Sequence, residues 1–327
     1  MRSSNPRLHL GNYEGALRNW IELQDDYDMF CMIADYHSLT TLGKELPDNE
    51  RNCLEIAKDY VAAGLDPAKC AIFVQSQVPQ HAELHLIFSM MTGLGKLERV
   101  PTFKDKKADL AAGVQVSYGL LGYPVLQASD ILLYKPYGVP VGRDQAAHLE
   151  LSREIGRSFN AATGSSTFDE FKDLIPEDES RAKVPGLDAD SDGNLRKMSK
   201  SYDNCIYLSE TADETAKKIK KAFTTPTKIR MTDPGVPEGC AVCQYLRLYS
   251  PDWETQWAED VAGERGCGQN KGELIECLNE FLRPMRERRA SLDDDAIRAI
   301  LADGRERAME RAEATMTEVR SAMKLMS

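Results

Sequence analysis

The strongest constraint on the fold is the alternation of short apolar runs with helical sequence in the first third of the chain. The runs MFCMIAD (29–35) and CAIFVQS (70–76) have the length and composition of buried β-strands. Helical patterns occupy residues 15–24 and 52–65. Strands separated by helices of this length form parallel sheets with right-handed crossovers. The sequence therefore predicts an α/β fold whose ligands bind outside the carboxyl ends of the strands.

The second half of the chain has a different character. Residues 138–160 predict a short strand, a turn and an amphipathic helix, and the polar residues 164–195 predict a loop or weakly ordered insertion. A length of 327 residues is typical of two domains, and a domain change is expected near residue 202. Beyond it the predicted helices are 209–223, 240–249, 253–263, 270–290, 293–303 and 304–325.

Charge and composition limit the kinds of binding partner and the cellular location that the chain can have. The net charge of −11 repels nucleic acid at long range, so any RNA contact requires a local basic segment. Residues 216–230 and 283–289 are such segments, and the alternative for each is the solvated face of a helix. No apolar run reaches 18 residues and no secretory pattern opens the chain. We therefore expect a cytoplasmic protein without a membrane span, in which the eight cysteines are reduced.

Two segments far apart in the chain have the residues that a nucleotide needs. HLGN (9–12) opens a helix, where glycine allows close approach to the backbone and the helix N-terminus favours phosphate oxygens. In KMSKS (197–201), Lys197 and Lys200 suit a pyrophosphate leaving group. Lys106 is a further candidate phosphate contact. Each feature alone is weak, because HxGN often caps helices and basic loops are usually solvated.

Asp130 lies inside an otherwise apolar run, YPVLQASDILLY (123–134). A carboxylate in such surroundings needs a partner or a ligand. One interpretation is a structural aspartate bonded to backbone or arginine. The other is an acceptor beside an apolar pocket for an indole N–H, which donates but does not accept.

HLGN and KMSKS together resemble the class I aminoacyl-tRNA synthetases. Within that class, four longer segments distributed over nearly the whole chain are similar to the tryptophanyl-tRNA synthetase family. These segments are LGNYEGALRNWIELQ, ASDILLY, VPVGRDQAAHLELSREIGRSFN and AEATMTEVRSAMKL. In addition, GRDQ followed by Ala-Ala-His departs from the usual pattern of the tyrosyl enzymes.

The resemblance implies a Rossmann-type doubly wound parallel sheet with an all-α second domain. Residues 1–202 would form the catalytic domain with a dimer-forming helical insertion, and 203–327 a helical domain that binds the tRNA anticodon. The last helix could pack back on the catalytic domain. The implied activity is tryptophan–tRNA ligation: L-tryptophan and ATP with Mg²⁺ give tryptophanyl-adenylate and pyrophosphate, and tRNA(Trp) is then charged. The implied partners are tRNA(Trp), L-tryptophan, ATP and a second copy in a homodimer.

The resemblance also assigns site residues, motif by motif. The residues that act on the phosphates would be Lys197, Lys200, Ser199 and Lys106. Those that hold the rest of ATP would be His9, Gly11, Asn12, Gly142, Asp144 and Met198. Those that bind tryptophan would be Asp130, Tyr123, Gln145, Val139, Val141 and Gln127.

The start of the chain departs from the family pattern. The family begins with a central strand and glycine-containing turns, whereas only MRSSNP precedes the HLGN segment, and Pro6 stands where glycine is expected. The first strand is therefore expected to be missing or truncated, either because the chain starts late or because it is an impaired relative. The second possibility leaves a non-catalytic tryptophan- or tRNA-binding paralogue as the alternative function.

Two further patterns suggest metals. Cys240, Cys243, Cys267 and Cys277 are candidates for Zn²⁺ or an iron–sulfur cluster, although their spacing differs from the four-cysteine motif of some family members and free thiols are favoured. The segment 188–193, Asp-x-Asp-x-Asp-Gly, imitates the start of a calcium loop. Its twelfth position is serine rather than glutamate, so it is predicted to be a flexible acidic loop.

Overall fold

The computed structural model describes residues 1–40, 46, 48–100, 103, 116–176, 181, 184–225 and 228–326. β1 (Met29–Ile33) and β2 (Cys70–Val74) pair in parallel. β3 (Gly138–Pro140) and β4 (Lys172–Leu174) form a second parallel pair. Both strands that the apolar runs predict are therefore present.

Helices occupy most of the remaining chain. In the first half they are α1 (Leu10–Asn12, π-helical Tyr13–Leu17 and Arg18–Leu23), α2 (Asp35–Leu39), α3 (Asn49–Ala63), α4 (Gln80–Met91), α5 (Leu94–Leu97), α6 (Tyr118–Leu132) and α7 (Ala146–Thr163). In the second half they are α8 (Ala212–Lys221), α9 (Ala241–Tyr249), α10 (Trp253–Ala262), α11 (Cys267–Ala290) and α12 (Asp294–Ala322). No helix in the described part of the chain is long and apolar enough to cross a membrane.

The first residues of the chain lie beside β1. Arg2 forms an isolated parallel bridge with Ala34, and the Ala34 amide donates to the Met1 carbonyl at 2.7 Å. The Ser3 carbonyl accepts a hydrogen bond of 2.7 Å from the Asn52 side chain on α3. The position of the expected first strand is thus taken by a single bridge, which α3 helps to hold.

The prediction that residues 164–195 form a loop or weakly ordered insertion is wrong in part, because the segment contains strands. Besides β4, it contains β5 (Pro185–Ala189), which pairs antiparallel with β6 (Leu195–Lys197). These strands are too short for their alternation to stand out among the polar residues around them.

The acidic segment forms the turn of that hairpin. The Asp190 carboxylate accepts from the backbone amides of Asp192 at 3.0 Å and Asn194 at 2.9 Å. Gly193 has a φ of +82°, which glycine adopts without strain. The Asp190 carboxylate, which occupies a position like that of a calcium ligand, therefore stabilises the turn by accepting backbone hydrogen bonds.

The basic run 283–289 is held against the protein at its C-terminal end, whereas the Arg283 side chain is 56% exposed. Arg289 Nε donates to Asp59 Oδ1 at 2.7 Å, and Arg288 Nε donates to the Ala62 carbonyl at 2.7 Å. Asp59 in turn accepts from the Leu8 amide at 2.9 Å. Burial raises the pKa of Asp59 despite the nearby Arg289 guanidinium. The run thus fastens α11 to α3 and to the segment that leads into α1.

The final helix differs from its prediction. Two helices, 293–303 and 304–325, were predicted, and one continuous helix, α12, is present. Gly304 does not end it. A Cβ at Gly304 would lie 2.0 Å from the Ile72 carbonyl oxygen, so the glycine allows α12 to lie directly against β2.

We expect Gly304→Ala to lower the free energy of unfolding by about 1–3 kcal/mol, because its Cβ must displace strand backbone. Gly272→Ala in α11 is the matched control: a Cβ there meets no atom within 4 Å, and alanine favours the helix by roughly 1 kcal/mol. Denaturant unfolding measures both. A Gly304→Ala protein as stable as the Gly272→Ala protein would contradict the close packing of α12 on β2.

Candidate active site

The HLGN segment begins α1 with a reciprocal cap. The Asn12 amide donates to His9 Nδ1 at 3.2 Å, and the His9 amide donates to Asn12 Oδ1 at 3.1 Å. Two of the amides that a helix start leaves unpaired are satisfied in this way. His9 and Asn12 therefore have a structural role here, and Gly11 between them presents backbone without a side chain.

Backbone pairing joins this turn to the segment after KMSKS. The Leu10 amide donates to the Ile206 carbonyl and the Leu208 amide to the Leu8 carbonyl, each at 2.9 Å. The Gly11 amide also points to Met198 Sδ at 3.3 Å, a contact between residues 187 positions apart. The structure thus brings together the two segments that the sequence predicts to share ATP.

Asn204 holds the KMSKS loop in shape. Its Oδ1 accepts from the Ser199 amide at 2.8 Å, and its Nδ2 donates to the Lys197 carbonyl at 3.2 Å and to Asp188 Oδ1 at 2.5 Å. A Cβ at Gly186 would lie 2.0 Å from Asn204 Nδ2. Sequence reasoning did not single out Asn204, because one asparagine in a polar loop gives no signal.

The lysines of this loop change the electrostatics around His9. Burial and, to a lesser extent, the charges of Lys200 and Lys197 lower the pKa of His9 to about 4. Burial also lowers the pKa of Lys200 to about 8. The site therefore holds a neutral imidazole beside two cationic side chains, an arrangement that suits an anion and not a further cation.

Asp130 is the centre of a buried polar cluster. Its Oδ1 accepts from Gln75 Nε2 and His81 Nδ1, each at 2.7 Å. Its Oδ2 accepts from His37 Nε2 at 2.8 Å. His81 Nε2 contacts the Tyr134 hydroxyl at 2.9 Å. Because the ionised Asp130 carboxylate only accepts, His81 Nδ1 carries the hydrogen of the bond between them.

These donors keep Asp130 ionised. Burial raises the pKa of its carboxyl, but the hydrogen bonds from His37 and His81 outweigh burial and lower the pKa to about 2. A carboxylate has about four acceptor positions, and among the described residues Oδ2 accepts only from His37. Oδ2 thus keeps acceptor capacity for a further N–H donor.

The other predicted tryptophan contacts lie on neighbouring elements. Tyr123 and Gln127 are on α6, where spacings of three, four and seven residues place them on the Asp130 face. Tyr123 is buried, with its ring 5.7 Å from that of His148. Val139 and Val141 pack against the hydrophobic cluster around α6. Gly142 and Gln145 belong to the turn that leads from β3 into α7.

Two predicted residues fall outside the part that is described. Lys106 and the side chain of Asp144 both lie outside the described residues. No contact is assigned to either of them.

The four candidate metal cysteines do not converge. Cys240 and Cys267 line one small cavity with Lys228 and Asp260, whereas Cys277 lies in a separate open groove. Among the described residues no group of three or more histidine, cysteine or acidic side chains is arranged to hold a metal ion. The Lys228 ammonium, 2.9 Å from Asp260 Oδ1, lines the cavity of Cys240 and Cys267 together with Lys271.

Sequence reasoning also missed His37, His81 and Asp59. His81 is fully buried. Its sequence signal is of the same kind as that of Asp130, a polar residue within a largely apolar helix. His37 and Asp59 lie in segments of mixed polarity, where nothing distinguishes them from surface residues.

Comparisons with known proteins agree with this geometry. The family model "tRNA synthetases class I (W and Y)" matches residues 1–283. A tryptophan–tRNA ligase of Aquifex aeolicus is 38% identical over 393 aligned positions, covering 98% of this chain and 97% of the relative. One from Streptococcus pneumoniae is 40% identical, covering 98% and 95%. The crystal structure of a Campylobacter jejuni tryptophanyl-tRNA synthetase complexed with ADP and tryptophan has a TM-score of 0.85 at 31% identity, covering 99% and 98%.

The chain belongs to the class I tRNA synthetases of the tryptophan and tyrosine type, an assignment that confirms the Rossmann-type fold class. Within this class, its similarity over nearly full length is to the tryptophan–tRNA ligases. The resemblance inferred from HLGN, KMSKS and the longer segments is therefore confirmed.

We expect the amine of Lys200 to react with acetic anhydride with a pH midpoint near 8 rather than 10.5, because burial disfavours its ammonium form. Lys69 is the control, because its hydrogen bond to Asp25 raises its pKa. Competitive labelling read by peptide mass spectrometry measures both midpoints. If Lys200 titrates together with Lys69, the described burial of Lys200 is wrong.

Proposed function

We propose that this protein is a tryptophan–tRNA ligase that activates L-tryptophan with ATP and transfers it to tRNA(Trp). The observation that carries the proposal is the joining of the HLGN turn to the KMSKS loop and the segment after it. The buried Asp130 cluster supplies a second polar site. The similar ligases named above and the Campylobacter jejuni complex with ADP and tryptophan support it.

The loop lysines would act on the leaving group. When the tryptophan carboxylate attacks the α-phosphorus, negative charge grows on the departing pyrophosphate. Lys197 and Lys200 would stabilise that charge, and Gly11, which has no side chain, would let the nucleotide approach the backbone closely. Since Lys200 loses its charge as pH rises through about 8, its contribution would fade above that pH.

Mg²⁺ enters this reaction with ATP as part of the substrate. Mg²⁺ in nucleotide sites binds mainly to phosphates and water, with few protein carboxylates.

Asp130 would select tryptophan. Its Oδ2 can accept the indole N–H, while Tyr123, Gln127 and Gln145 lie on the elements around it. Phenylalanine offers no such donor, so its binding would leave a buried acceptor unpaired.

Two surfaces support the macromolecular partners. Leu86, Met90, Leu94 and Tyr118 form exposed apolar positions on α4, α5 and α6, with Met90 75% exposed, and such a set favours a homodimer. Residues 203–327 would bind the tRNA anticodon region. The cations Lys217, Lys220, Lys221 and Arg230 are exposed there and could contact phosphates.

Tryptophan-dependent ATP–pyrophosphate exchange, followed by charging of tRNA(Trp), tests the proposal. We expect both reactions with the purified chain, and no exchange when tryptophan is replaced by phenylalanine. Tryptophan binding without exchange would instead identify a non-catalytic paralogue.

Asp130→Asn is expected to raise KM for tryptophan by roughly 10–100-fold, since a hydrogen bond to a charged group contributes about 1.5–3 kcal/mol. KM for ATP should change little. Steady-state exchange kinetics measure both constants. Equal increases in the two values would remove Asp130 from the indole pocket.

His81 is expected to act as a positioning residue for Asp130. His81→Asn keeps an N–H donor near the Nδ1 position, whereas His81→Leu removes it and so raises the pKa of Asp130. His37, His85, Tyr134 and the Met1 amino group also interact with Asp130 and remain in both variants. The acid limb of kcat/KM for tryptophan should move to higher pH in His81→Leu only. The same shift in both variants would show a purely structural role.

A further inference from the structure

Cys240 and Cys243 form a vicinal thiol pair at the start of α9. Cys240 is the N-cap residue, with extended backbone (φ −108°, ψ 114°), and Cys243 is the third residue of the helix. Side chains three positions apart at a helix start lie about 5–6 Å apart between Cβ atoms. Because Cys240 lies outside the helix, a small rotation of its backbone can bring the two sulfurs to bonding distance.

The environment distinguishes the two thiols. Cys243 is buried, and its sulfur accepts from Asn270 Nδ2 at 3.7 Å. Cys240 is half-buried and lines a cavity of about 10 Å³ together with Cys267 and Lys228. The cavity has room for about one water-sized molecule, so a small oxidant can reach Cys240 first.

Cys240 also has the character of an attacking thiol. The hydrogen bond from the Cys243 thiol, together with those from the backbone amides of Cys243 and Val242, outweighs burial and lowers the pKa of Cys240 to about 7. A helix N-terminus favours a thiolate. The Cys243 thiol donates the hydrogen bond to the Cys240 sulfur, and this bond raises the pKa of Cys243.

The remaining cysteines lack this combination. Cys31, Cys53, Cys70 and Cys205 are buried in the folded protein. Cys277 is half-buried, but burial raises its pKa to about 11 and it lies in a different groove. Cys267 is half-buried and begins α11, and burial raises its pKa.

We propose that Cys240 and Cys243 are a site of reversible oxidation by hydrogen peroxide, with Cys240 as the attacking thiol and Cys243 as the resolving thiol. The Cys240 thiolate attacks one peroxide oxygen, so that an S–O bond forms, the O–O bond breaks and hydroxide leaves as water. Cys243 then attacks the sulfenic sulfur, so that the S–S bond forms, the S–O bond breaks and a second water leaves. Two thiols lose two electrons, and one peroxide is reduced to two waters.

Peroxide titration of the intact chain tests this site. After alkylation of the remaining thiols, peptide mass spectrometry is expected to find a Cys240–Cys243 disulfide that dithiothreitol reverses. Cys240 should react on the order of 10–100-fold faster than Cys277, given its larger thiolate fraction. Equal rates, or a disulfide from Cys240 to Cys267 instead, would overturn the assignment.

Three variants separate the roles of the two thiols. Cys243→Ser should leave a Cys240 sulfenic acid that dimedone traps, and Cys240→Ser should leave Cys243 reduced at the same peroxide dose. Cys277→Ser is the matched control and should form the disulfide at the wild-type rate. Oxidation of Cys243 in Cys240→Ser at the wild-type rate would contradict the order of attack. Because the wild-type chain itself gives the decisive peptide, the test does not depend on the folding of any variant.

Discussion

The site depends on the backbone pairing of residues 8–10 with 206–208. Through these hydrogen bonds the HLGN turn and the segment that follows KMSKS share one short ladder. The Gly11 amide adds a contact to Met198 within KMSKS. The ladder is supported by Asp59, which accepts from the Leu8 amide and is itself held by Arg289. Arg289 in the helical second half of the chain thus stabilises the HLGN turn through Asp59. The turn itself contacts Met198, 187 positions away.

A second constraint is the buried charge of Asp130. An unpaired carboxylate in an apolar interior is costly, and here two histidines and a glutamine supply the donors. The cluster continues through Tyr134, whose carbonyl accepts from Arg311 of α12 at 3.2 Å. The last helix therefore supports both β2, through Gly304, and the polar cluster.

Much of this arrangement follows from local sequence. The apolar runs predicted β1 and β2 because buried strands have a distinctive composition, and Asp130 was found because it departs from an apolar run. HLGN and KMSKS were found from residue types that suit phosphates and from their joint resemblance to the class I synthetases. The hairpin β5–β6 was missed because its strands are short and polar. The predicted boundary between residues 303 and 304 was wrong, and the role of Gly304 could not be foreseen because its contact with a distant strand is tertiary. Asn204, His37 and Asp59 could not be found for the same reason, since their partners are distant in the sequence or, for Asn204, defined only by loop geometry.

The most direct test of this account is the single-turnover rate of adenylate formation in Lys200→Gln, measured together with the Kd of ATP. The account assigns Lys200 to charge that develops only as pyrophosphate leaves. It predicts that the rate falls by about 100-fold or more while the Kd changes by less than about threefold. An unchanged rate with a Kd raised in proportion would contradict it, because Lys200 would then contribute only to binding of the ground state.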